Sequence, residues 1–63
     1  MAIYATVFTS SGATVAKVQE GKTEYFTGYD FMGSANWTAD INKAVLMSTE
    51  EADQIADDLT AGE

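Results

Sequence analysis

The sequence predicts an α+β fold: a small antiparallel sheet, made of a three-stranded meander and a short fourth strand, with one C-terminal helix packed on one face. Three observations carry that expectation. Residues 2–31 are rich in β-branched and aromatic types and are broken by short Gly-containing turns. Ser48-Thr49-Glu50-Glu51 has the spacing of a capping box. Ala52, Ile55, Ala56 and Leu59 then fall at i, i+3, i+4 and i+7, which is one apolar stripe along a helix.

The elements follow in order. Residues 2–9 form a first strand, and Ser10-Ser11-Gly12 supplies turn chemistry. Residues 13–20 form a second strand whose apolar phase slips between Val15 and Ala16, the mark of a bulge. Gly21-Lys22 turns the chain into a third strand over 23–31, interrupted at Gly28. Gly33-Ser34-Ala35-Asn36 breaks the pattern, and the mixed signals of Trp37 to Lys43 suit a single helical turn. The apolar run Ala44-Val45-Leu46-Met47 is expected as the fourth strand, and a helix spans about 49–60, with Gly62 just past its end.

Sixty-three residues make one domain. Ten Asp and Glu face only three Lys, for a formal charge of −7, and the chain has no Arg, His, Cys or Pro. That composition excludes disulfide staples, thiolate or imidazole catalysis and the usual zinc sites. It offers no bidentate clamp for phosphate, and its charge repels nucleic acid, so no direct nucleic-acid binding is expected. Seven aromatics among 63 residues argue for a folded chain, not an acidic disordered tail. Met1-Ala2-Ile3-Tyr4 opens no basic segment or long apolar run, so neither signal peptide nor membrane span is expected, and the expected location is cytoplasmic.

The first strand carries Ile3, Ala5 and Val7 on one side and Tyr4, Thr6 and Phe8 on the other. Both sides are more apolar than a solvated face requires, and one short helix covers only one of them. The remaining face is expected to meet a second copy of the chain, as a homodimer, or another protein.

Residues Trp37-Thr38-x-Asp40 through Ala44, followed by Ser48-x-Glu50-Glu51-Ala52, resemble a recurrent pattern in very small acidic phage and bacterial proteins. The resemblance covers residues 37–56 and extends to the upstream strands in general character. It implies a β-meander followed by a Trp-containing connection, a strand and a capped helix, and it points to a phage-like origin. In size and charge the chain is similar to phage anti-restriction and anti-CRISPR inhibitors. The motif residues are structural, so the resemblance assigns no functional residue.

Several patterns suggest chemistry and fail on mechanics. Ala16 to Thr23 approximates a phosphate-loop string, but Val18 and Glu20 occupy the loop and a strand-like Glu24-Tyr25-Phe26 follows where a helix is needed. Asp40-Ile41-Asn42 and Asp57-Asp58 offer oxygen ligands without the spacing of a calcium loop, so no metal site is expected. Paired helix carboxylates such as Asp53 and Asp57 lack pocket walls to separate their acidities, so no catalytic residues, enzyme activity or cofactor are expected.

The acidic helix stands out. Glu50, Glu51, Asp53, Asp57 and Asp58 place five carboxylates in nine residues, with no Lys from 44 onward. At about 1.5 Å per residue that is one charge per ~2.5 Å, within a factor of two of duplex DNA at ~1.7 Å. Asp57 and Asp58 sit near the unfavourable end of the helix dipole, and Asp53–Asp57 is a like-charge i,i+4 pair. A helix that keeps such conflicts suggests that the charge is used. Tyr4, Phe8, Tyr25, Tyr29 and Phe31 supply candidate anchors at a partner or dimer interface, where aromatics are enriched.

The expected function is therefore a non-enzymatic, acidic protein-binding module. It would be a phage-encoded inhibitor that mimics nucleic acid and blocks the basic surface of a host enzyme handling nucleic acid. The alternative is a structural or accessory homodimer whose charge serves only solubility.

Overall fold

A computed structural model of the chain describes residues 2–62. Strands β1 (Ile3–Thr9), β2 (Gly12–Gln19), β3 (Lys22–Tyr29) and β4 (Ala35–Thr38) form one antiparallel sheet in chain order. The helix α1 (Thr49–Gly62) packs across β1 and β2. The α+β class and the four-stranded antiparallel sheet are as the sequence predicts, but the fourth strand lies elsewhere in the chain.

That displacement has a local cause. β1 and β2 pair without interruption from Ile3↔Val18 to Thr9↔Gly12. β2 and β3 pair only from Gln19↔Lys22 to Ala16↔Tyr25 and then part. The chain leading into α1 enters the gap between them. Val45 N–H donates to the Phe26 carbonyl at 2.9 Å, and Ala13 and Met47 exchange main-chain bonds of 2.9 and 2.7 Å. Residues 44–47 are thus a wedge with a single bridge. The fourth strand is Ala35–Thr38, which pairs with β3 across a bulge between Phe26 and Gly28, with Gly28 at φ 120°. The break in apolar phase at Val15 and Ala16 marks the point where β2 changes partner. It is not a bulge, since the β1 register continues through it.

Alternation places Tyr4, Thr6, Val15, Phe26 and Trp37 toward the helix, where Val15, Phe26, Ala13, Ala52 and Ala56 form the buried core. Alanines at 13, 52 and 56 keep the helix close to the sheet, and Tyr4, Trp37, Met47, Ile55 and Leu59 pack around them. Trp37 lies 5.7 Å from the rings of both Phe26 and Tyr4. Lys17 reaches over Trp37 at 5.0 Å and pairs with Glu24 at 3.7 Å.

The predicted cap is present, with one change. Glu51 N–H donates to Ser48 Oγ at 3.2 Å, while the Glu51 carboxylate accepts from the Ser48 hydroxyl at 3.1 Å and not from its main-chain N–H. A 3-10 turn over Ile41–Lys43, capped by Asp40 through Asn42 N–H, fills the expected helical turn after Trp37.

Thr14 is fully buried on β2, and among the described residues its hydroxyl has no hydrogen-bond partner. Desolvating an unpaired hydroxyl costs about 1–3 kcal/mol. Thr14→Val keeps the β-branched shape and is expected to raise stability by about 1 kcal/mol, read as a higher urea midpoint at unchanged slope. A lower midpoint would show that the hydroxyl is satisfied.

Candidate protein-binding surface

The core direction of α1 is fixed by Ala52 and Ala56, both buried, with Ile55 and Leu59 beside them. At 100° per residue, Asp53, Asp57, Glu50, Asp58 and Glu51 then fall within about 160° of arc on the opposite side. All five are exposed. The helix therefore turns its carboxylates to solvent as one broad anionic surface.

Their local partners leave that charge in place. Asp53 accepts a hydrogen bond from the Thr6 hydroxyl, Asp58 accepts from the Gln54 amide at 3.0 Å, and Glu51 accepts from Ser48. Those donors are neutral. Among the described residues the ion pair is Lys17–Glu24, which involves no helix carboxylate. Asp30 and Asp40 do different work. Asp30 accepts from the N–H groups of Met32 and Ser34 at 2.9 and 3.0 Å, closing the turn after β3, and Asp40 caps the 3-10 turn. The phosphate-like string of residues 16–23 is the β2–β3 hairpin, with Glu20 at φ 53° and Gly21 at φ 80° in its turn.

The five candidate aromatics do not converge. Tyr4 is a departure from the sequence expectation: it lies on the helix-covered face, half-buried against Trp37, so it anchors core packing and not a free surface. Phe8 shares that face by alternation but is 69% exposed. Tyr25 points to the opposite face and is half-buried. The bulge after Phe26 brings Tyr29 back against the Phe26 ring at 5.1 Å, yet leaves it half-exposed. Phe31 is 99% exposed on the turn that Asp30 closes.

The face away from the helix keeps Ile3 exposed beside its cross-strand neighbour Val18, also exposed. Sequence reasoning did not anticipate an open groove of about 390 Å³ between the β1–β2 turn and the 41–46 connection, lined by Phe8, Thr9, Ser11, Ile41, Ala44 and Leu46. It depends on how the connection folds back, which no local pattern encodes.

Among the described residues, no three acidic, Cys or His side chains cluster as a metal site would require, and no helix is long and apolar enough to cross a membrane. No protein family, curated protein or solved structure matched the chain.

Proposed function

We propose that this chain is a non-enzymatic binding module that presents the α1 carboxylates to the basic, nucleic-acid-binding surface of a host protein, as a phage-encoded inhibitor would. One observation carries the proposal. Five helix carboxylates share the solvent-facing arc, and none is paired with a cation among the described residues. Such a surface steers a positively charged partner and discriminates by charge complementarity. The near-DNA charge density makes a basic groove the natural counterpart.

The test is capture of bacterial proteins by the immobilised chain at about 50 and about 500 mM salt, a range over which the Debye length falls severalfold. The expected result is a nucleic-acid-handling protein retained at low salt and released by competing duplex DNA. A variant with Lys at 50, 51, 53, 57 and 58 is expected to lose it. Capture indifferent to that reversal contradicts the proposal.

A homodimer is the second reading, favoured by Ile3 and Val18 at 64% and 38% exposure on the uncovered face. It places the dimer contact there, not at Tyr4 or Phe8. Sedimentation at micromolar concentration is expected to show a dimer that Ile3→Lys dissociates; a strict monomer rules it out.

A further inference from the structure

Among the described residues, the outer edge of β1 at Thr6 and Phe8 is an unfilled strand position. Ala13 gives both its main-chain groups to Met47, so its opposite number Phe8 is a non-hydrogen-bonded pair with β2. By alternation the N–H and C=O of Thr6 and Phe8 point away from the sheet. Among the described residues no group bonds to them. Native sheets blunt such edges with charge, proline or a bulge, but Ile3–Thr9 contains no charged residue or proline and its register is unbroken.

What lies above that edge specifies the occupant. The Thr6 hydroxyl donates to Asp53, so the flank of α1 bearing Asp53 faces β1, and Asp57 follows one turn later on the same flank. Met47 is bridged to Ala13, opposite Phe8, so α1 starts near Phe8 and runs antiparallel to β1. Asp53 and Asp57 are separated by about 6 Å along the helix. Alternate residues of a strand added beside β1 are spaced by about 6.8 Å, so same-side cations on it match that separation. A second copy of this chain would instead bring another −7 charge and another acidic helix to the same edge.

We propose that the outer edge of β1 receives an extended basic segment of a partner protein as a fifth strand, held by the main chain of Thr6 and Phe8, with alternate Lys or Arg side chains beneath Asp53 and Asp57. Exposed Phe8, on the same face as those cations, packs against their alkyl stems. This rests on the anionic-surface function above and names the element of the partner that it grips. Strand addition supplies main-chain affinity, and the flanking charges select basic sequence.

The probe is a synthetic peptide, Lys-Thr-Lys-Val-Lys-Thr-Lys with blocked ends, added to the full chain at low salt while amide exchange is followed residue by residue by NMR. In the free protein Thr6 and Phe8 are expected to exchange faster than Ala5 and Val7. Saturating peptide is expected to slow Thr6 and Phe8 by at least roughly tenfold. The same peptide N-methylated at alternate residues is expected to give no such protection, and this arm needs no variant of the protein. Thr6→Pro, which removes the outward N–H together with the hydroxyl that Asp53 accepts, is expected to weaken binding by about tenfold, and Thr6→Val, which removes the hydroxyl alone, to weaken it far less. If the peptide shifts α1 signals without protecting Thr6 and Phe8, charge alone binds it; the edge site is then wrong while the anionic-surface function stands. No binding at millimolar peptide also overturns the edge site. Protection in the free protein that rises with protein concentration, together with a dimer in sedimentation, assigns the edge to a second copy and overturns it as well.

Discussion

Phe26→Ala is expected to leave at least about half of the molecules unfolded at 25 °C, seen as weakened near-ultraviolet dichroism and loss of dispersed amide signals. Phe26 is 2% exposed, meets the Tyr29 and Trp37 rings at 5.1 and 5.7 Å, and lies at the centre of the core. Truncating such a ring costs about 3–5 kcal/mol. A domain this small holds only about 3–5 kcal/mol in total, so the loss equals the stability. The control is Phe31→Ala, five residues on. Its ring is 99% exposed, and the change is expected to stay within about 0.5 kcal/mol. Equal effects at the two positions would mean that the core is not centred on Phe26.

The second large effect has opposite signs in two measurements. Asp57→Lys together with Asp58→Lys puts cations in the last turns of α1, where the dipole favours them, and removes the Asp53–Asp57 repulsion. The melting temperature is expected to rise, by the equivalent of about 1 kcal/mol. Capture of the partner at low salt is expected to fall at least about tenfold, as loss of steering and complementarity requires. A protein whose acidity served only solubility would gain the stability and lose nothing. A binding surface trades stability for its charge, and the pair of measurements separates the two.

The elements that were legible in the sequence are those whose signals are local. The Ser48–Glu51 spacing and the stripe from Ala52 to Leu59 define α1 because cap and periodicity lie within the helix itself. The hairpin follows from Gly21, although the turn is Glu20-Gly21 and not Gly21-Lys22, since Lys22 already pairs with Gln19, and the interruption at Gly28 follows from the missing side chain. The fourth strand was not legible. Ala35-Asn36-Trp37-Thr38 is short and half-polar and becomes a strand only because β3 offers it partners. The more apolar 44–47 is denied a full pairing because it fits the gap where β2 and β3 part. Both outcomes depend on long-range register, which composition does not carry.

The candidate site divides in the same way. Outward display of Glu50, Glu51, Asp53, Asp57 and Asp58 follows from helical geometry once the apolar stripe is known. The aromatics do not yield to that logic, since their exposure depends on what the rest of the chain covers. Tyr4 is half-buried on the face that α1 covers, while Phe8, four residues on along the same face, stays open. The open β1 edge was equally hidden, because it follows from which main-chain groups Ala13 gives to Met47.

Encounter with a basic partner driven by the α1 carboxylates, as proposed, makes the association rate depend on ionic strength. With the captured protein in solution, the rate is expected to fall by about tenfold or more between 50 and 300 mM salt. The helix with Lys at its five acidic positions is expected to associate slowly at every salt concentration. A rate for the unaltered chain that is flat across that range, or unchanged by the reversal, contradicts the proposal.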